Sequence, residues 1–145
     1  MTSDFSVALH ILGFLTASDG KPLTSEILAE TYGTNPVVVR RVLSKLKEAG
    51  FVSTQRGTGG GSVLAQDSTG ITLRQVFESV HEKPGILPRP PGETGTVSKI
   101  LSDYVNDLFT HAEAALLADL DRTTISEMDE KVRPEICAFL CQREK

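Results

Sequence analysis

Apolar residues recur at helical spacing through most of this chain and break that rhythm in one short stretch. Phe5, Ala8, Leu9, Leu12 and Leu15 share one face of a first helix, which Thr2 or Ser3 can cap and which reaches about Ala17. Asp19-Gly20-Lys21-Pro22 reads as a turn. Thr24 caps a short second helix, Ser25 to Tyr32, with Ile27 and Leu28 inward and Glu26 near the positive end of its dipole. After Gly33-Thr34 comes a third helix: Asn35 is a good N-cap, Pro36 suits the next position, and Val39, Val42, Leu43 and Leu46 form its apolar face. Val37, Arg41, Ser44 and Glu48 lie on the opposite side, flanked by Arg40 and Lys45, and Gly50 ends the helix.

The break follows at once. Phe51, Val52 and Ser53 read as a strand and Val63 and Leu64 as its partner, joined by an exposed turn, Arg56-Gly57-Thr58-Gly59-Gly60-Gly61. Two helices joined by a glycine-containing turn, then a glycine-tipped hairpin carrying an arginine, describe a winged helix-turn-helix.

Helical spacing resumes after the turn Asp67-Ser68-Thr69-Gly70, where Thr72 caps a helix through about Val80 with Leu73, Val76, Phe77 and Val80 inward. Residues 82–95 hold four of the seven prolines and exclude regular structure. From Thr96 a long helix reaches about Leu120 or Asp121, with a stripe of Val97, Leu101, Tyr104, Val105, Leu108, Ala112, Ala115 and Leu116. Such a helix, about 37 Å long, leaves a chain of 145 residues little core to cover its stripe. Pairing with a second copy is the economical solution; folding back over the first domain is the alternative. Thr123-Thr124-Ile125-Ser126 reads as a break, and Pro134 as the start of a short last helix that packs on the long helix or on the first. The expected fold is mainly α with a small β-wing: a winged helix-turn-helix domain over residues 1–80, a Pro/Gly-rich loop over 81–96, and a dimerisation helix and C-terminal helix over 97–145.

Charge changes the picture once it is divided. The net charge is −4, yet residues 1–66 hold six Lys or Arg against five Asp or Glu, while the remainder is strongly acidic. Arg40, Arg41, Lys45, Lys47 and Arg56 cluster on the third helix and the hairpin, and local clustering is the electrostatic mark of nucleic-acid contact. The same five cations could form no more than a solvated helix face. No apolar run reaches the roughly 18 residues of a membrane-crossing helix, and the N-terminus lacks the basic start of a secretory signal. A cytoplasmic protein is therefore expected.

The pattern Leu46-Lys47-Glu48-Ala49-Gly50-Phe51-Val52, then the arginine–glycine hairpin, Leu64-Ala65 and Ile71-Thr72-Leu73, resembles the Rrf-two family of bacterial winged helix-turn-helix transcription regulators. That family includes iron–sulfur-cluster and nitric-oxide-sensing repressors. The likeness is good over residues 1 to about 80 and holds only in outline beyond. It implies a homodimeric DNA-binding regulator, most naturally a repressor, on a dyad-symmetric operator. It further implies that Asn35, Val37 and Arg40 face bases and that Arg56 enters the minor groove. Arg41, Lys45 and Lys47 suit phosphates, and Gly57, Gly59, Gly60 and Gly61 let the wing backbone approach DNA. Cluster-binding relatives carry a glutamate where this chain has Arg40; arginine pairs with guanine, whereas glutamate accepts from cytosine. An aromatic commonly follows the wing glycines where this chain has Ser62.

Candidate chemistry beyond DNA is thin. Those relatives hold three cysteines near the loop before the long helix, and residues 81–96 hold none. Cys137 and Cys141 lie one helical turn apart, which suits buried packing or, with strain, a disulfide, but is too few for an iron–sulfur cluster. No metal and no cofactor are expected, and any effector is unidentified. The glycine-rich turn lacks the lysine of a phosphate-binding loop. His10, His81 and His111 lie in separate segments and no catalytic motif is present, so an enzyme is not expected. A winged helix that docks a protein in place of DNA is the rival reading, supported by the apolar run Val37-Val38-Val39.

Overall fold

The computed structural model describes residues 3–90 and 95–144; Thr2, the alternative first cap, and residues 91–94 of the proline-rich loop lie outside that range. Helix α1 (Asp4–Ala17) runs through the middle of the fold, touching α2 (Ser25–Tyr32), α3 (Pro36–Glu48), the hairpin of β1 (Val52–Gln55) and β2 (Gly61–Leu64), α4 (Leu73–Val80) and α6 (Ile125–Arg143). Being covered on several sides, α1 buries more than one stripe. Val7, Ala8, Ile11, Leu12 and Leu15 are fully enclosed, while Phe5 and Leu9, expected on the core face, sit half-buried at its margin. Ser3 caps α1 through its backbone carbonyl, which accepts from Val7 N–H at 3.1 Å, and its side chain makes no capping bond.

The helix-turn-helix follows its local signals closely. Thr24 Oγ1 accepts from Ile27 N–H at 3.2 Å, and Gly33 ends α2 in the left-handed region at φ 81°, where a side chain would strain the turn. Asn35 Oδ1 accepts from Val37 and Val38 N–H at 2.9 and 3.2 Å, Pro36 occupies the first helical position, and Gly50 turns the chain out of α3. Val39, Val42, Leu43 and Leu46 are buried as expected.

The two strands pair antiparallel, Val52 opposite Leu64 and Gln55 opposite Gly61. Phe51, expected within the first strand, is instead a buried residue just before it, and the strand extends further toward the turn. A third strand-like segment was not visible in the pattern: Leu23 N–H donates to Ser62 O at 3.0 Å, and Ser62 N–H donates to Leu23 O at 2.8 Å. This bridge roots the wing on the α1–α2 turn.

The last helix corrects the reading of Pro134. Helix α6 begins at Ile125, with Thr124 capping Glu127 N–H at 3.2 Å, and Pro134 sits inside it. Pro134 removes the donor to the carbonyl four residues earlier, and both Glu130 and Pro134 face solvent, where water can satisfy that carbonyl. Of the two expected docking places, α6 takes α1. Ile136 and Ile125 join the core, and Gly13 admits Met128 so closely that its Cε lies 3.3 Å from where a Cβ would stand. Two backbone bonds clamp its start against α4, Leu73 N–H to Thr123 O and Ile125 N–H to Ile71 O, both 2.9 Å. Arg133 fastens its middle to the end of α1 through Asp129 (2.7 Å), Asp19 (3.0 Å) and the Thr16 carbonyl (3.1 Å).

Helix α5 (Thr96–Leu120) behaves differently: none of its residues is buried.

Candidate nucleic-acid interface

Helix α3 and the hairpin share one face. A groove of about 360 Å³ lies between the start of α2, the outer side of α3 and the wing, bordered by Ser25, Glu26, Arg40, Ser44, Lys47 and Thr54. Asn35 stands at the head of α3 with its Oδ1 committed to capping, so its amide N–H groups are what it can offer a base. Val37 is 66 % exposed beside it, a large apolar side chain free to meet a thymine methyl.

The cations of this face are not equivalent. Arg40 Nη2 donates to Glu26 Oε1 at 2.7 Å across the helix-turn-helix, which draws its guanidinium toward the groove. Glu26 is held below the usual carboxylate range first by its own backbone amide and then by Arg40. Arg41 Nη2 reaches Asp4 Oδ1 at 2.7 Å with half its side chain still exposed. Lys45, expected as a phosphate ligand, is largely enclosed in the free protein. Its side chain is 16 % exposed and its ammonium is enclosed by Asp4 Oδ2 (2.8 Å), Glu82 Oε1 (3.0 Å) and the Val80 carbonyl (3.5 Å). The reason is its position on the side of α3 that meets the start of α1 and the end of α4, where a carboxylate and a carbonyl already wait. Burial pulls the Asp4 carboxyl upward, but bonds from Lys45 and Arg41 outweigh it and hold the group below its ordinary value. Among the described residues, Lys47 and Arg56 make no ion pair, so their charges remain open to an anion.

The wing is shaped by its glycines. Gly57 and Gly59 adopt φ 99° and 76°, conformations that side chains rarely take, while Gly60 N–H closes the turn onto Gly57 O at 3.0 Å. Arg56 stands exposed at the base of this turn. Ser62, this chain's departure from the aromatic of the resemblance, is buried against Leu23 in the bridge between them. Its small side chain lets the α1–α2 turn lie directly on β2.

Sequence reasoning missed Asp4, Glu26 and Leu23 as members of this face. Each pairs with a residue 14 or more positions away, and only the fold brings them together.

The long helix presents the other expected surface. Val97, Leu101, Tyr104 and Leu108 are 80, 61, 62 and 48 % exposed; Ala112 is exposed and Val105 half-buried. Ile100, not among the expected residues, joins them at 66 %. Glu113 on the same helix gathers the proline-rich loop, accepting from Ile86 and Leu87 N–H at 2.8 Å and from Arg89 at 2.9 Å.

Among the described residues no three His, Cys, Asp or Glu side chains converge as a metal site, and no helix is long and apolar enough to cross a membrane. The two cysteines lie on α6, away from the loop after α4.

Comparison with known proteins agrees with this geometry. The family model for Rrf2, described as an iron-dependent transcriptional regulator, matches residues 1–131. YwnA of Bacillus subtilis, whose name places it among HTH-type transcriptional regulators, is 28 % identical over 88 % of this chain and 96 % of its own length. The HTH-type transcriptional regulator IscR of Vibrio cholerae is 33 % identical over 57 % of this chain, which spans only 43 % of IscR. Among solved structures, a chain described as a DNA-binding protein superposes with a TM-score of 0.70 at 30 % identity, covering 87 % of this chain and 98 % of its own. A Lactobacillus plantarum transcriptional regulator reaches a TM-score of 0.74 at 24 % identity, covering 98 % of each chain. With its helix-turn-helix, glycine-tipped wing and long C-terminal helices, this chain belongs to the Rrf2 family and is a DNA-binding transcription regulator.

Proposed function

We propose that the chain acts inside the cell as a homodimeric repressor of a dyad-symmetric operator, reading each half-site with α3 and gripping the flanking backbone with the wing. The single observation that carries the dimer is the uncovered apolar row of Val97, Ile100, Leu101, Tyr104 and Leu108 on α5. A second copy covers such a row symmetrically, and a helix about 37 Å long matches the roughly 34–36 Å separating half-sites one DNA turn apart. Asn35, Val37 and Arg40 read base edges; Arg41, Lys47 and Arg56 meet phosphates or the minor groove; the backbone at Gly57, Gly59 and Gly60 passes close to the sugar–phosphate chain. Lys45 braces α3 from behind.

Selection from a random duplex pool, together with sedimentation of the free protein, tests this reading. Two half-sites about one turn apart, with a guanine in each, and a dimer in solution are expected. A monomer, or a pool without enrichment, sinks it. The second reading is a protein-docking module: Val37 is exposed at the tip of α3, and Arg40 and Arg41 are already paired with carboxylates. It predicts no enrichment of any duplex.

A further inference from the structure

A second cavity adjoins the root of the wing. It encloses about 720 Å³ between α6, the α1–α2 turn and the wing, within the range of small-molecule sites. Its walls are mainly apolar, with Ala17, Pro22, Leu23, Ile27 and Leu140 contributing. Both cysteines of the chain border it, one helical turn apart on α6. Cys137 is half-buried and its thiol points to the Ala17 carbonyl at 3.8 Å, whereas Cys141 is exposed. Two acids, Asp19 and Glu144, and two bases, Lys21 and Arg143, stand at the mouth. Lys21 is bonded to Glu144 at 2.8 Å and Arg143 to Glu30 at 2.8 Å. Asp19 is held by Arg133, so among the described residues the rim charges are paired and leave no cation or carboxylate waiting for a charged ligand.

We propose that this cavity admits a small, uncharged carbon electrophile of the enone or quinone class and that Cys141 captures it. The apolar lining and balanced rim select a neutral molecule, and the accessible thiol at the wall supplies the nucleophile. In the step, Cys141 Sγ forms a bond to the β-carbon, the carbon–carbon π pair shifts to join the α-carbon to the carbonyl carbon, the carbonyl π pair moves onto its oxygen, and the resulting enolate takes up the proton released by the thiol. No oxidant or reductant is consumed.

The cavity's opposite wall makes the capture consequential. Leu23, which lines it, exchanges both backbone bonds with Ser62, and Gly59 at the wing tip also borders it. An adduct therefore presses on the segment that roots the wing. This last step rests on the proposed role of the wing in DNA binding; the capture itself does not.

The reduced full-length chain is treated with methyl-1,4-benzoquinone and followed by intact mass, peptide mapping, amide exchange at Ser62 and duplex binding. One adduct at Cys141 is expected, forming about tenfold faster than in the urea-unfolded chain because the cavity holds the reactants together. Faster Ser62 exchange and a change of about tenfold in duplex affinity should accompany it. Cys141→Ser should abolish the adduct and the response while leaving basal binding unchanged. A rate equal to that of the unfolded chain, modification confined to Cys137, an unmoved Ser62 amide, or faster reaction with hydrogen peroxide than with the quinone would each overturn the proposal. If the adduct and the Ser62 response appear but no duplex is ever bound, the DNA-binding role of the wing fails and the capture site stands.

Discussion

Asp4 Oδ2 and Lys45 Nζ meet at 2.8 Å, joining the first residue of α1 to the last turn of α3, 41 positions along the chain. Both side chains are four-fifths or more enclosed, and the same carboxylate also receives Arg41. The pair ties α3 to the start of α1.

Asp4→Asn should lower stability by about 1–2 kcal/mol, since a largely enclosed ammonium keeps only part of its compensation. The wild-type dependence on pH has a definite sign. Because the folded carboxyl titrates below its ordinary value of 3.8, its contribution is complete above that value and is lost as pH falls through the lower folded one. Thermal unfolding of both proteins across the acid range should show the difference between them shrinking within that window, as pH falls from 3.8 toward the folded value. A constant difference would remove Asp4 from the ionic account.

Arg56→Ala and Lys45→Gln should separate a DNA contact from a brace. Losing Arg56 should weaken duplex binding and reduce the slope of log affinity against log salt by about one. Losing Lys45 should lower the melting temperature and leave that slope nearly unchanged, because its charge is already spent on Asp4 and Glu82. Equal slope changes in the two variants would return Lys45 to the interface.

Arg40→Ala should relax the preference for guanine at one position per half-site by about 1–3 kcal/mol. Glu26→Gln should keep that preference while loosening it, since the guanidinium would lose the carboxylate that orients it. Competition between duplexes differing at a single base pair measures both. An Arg40→Ala variant with unaltered base preference would exclude it from readout.

Gly61→Ala should detach the wing. A methyl there would stand 2.6 Å from the Leu23 carbonyl oxygen and 2.7 Å from its carbon, so the bridge to Ser62 must open. A loss of roughly 1–3 kcal/mol is expected, together with weaker duplex binding. Preserved Ser62 amide protection in this variant would contradict the steric argument.

His10 offers a second pH test. Its ring is half-buried, bonded to Thr31 Oγ1 at 2.7 Å and packed between Phe14 and Tyr32, and burial lowers its pKa from 6.5. The unfolded chain therefore takes up the proton first, so stability should decline as pH falls below 6.5 and level off below the folded value. His10→Gln should flatten that part of the profile in denaturant titrations.

Local pattern by itself determined the first five helices, the caps at Thr24, Asn35 and Thr72, the exits at Gly33 and Gly50, and the glycine-tipped hairpin. Each depends on residues within four positions of one another, where a side chain and a backbone amide meet regardless of the rest of the chain. Pro134 misled for the opposite reason: its usual role at a helix start yields when packing against α1 stabilises the helix on both sides of it. Only the tertiary structure decided that Lys45 turns inward to Asp4, that Leu23 carries the wing, and that two thiols share a cavity with its base. Such contacts join residues tens of positions apart. No periodicity encodes them, because they exist only once burial of the apolar faces has set the helices side by side.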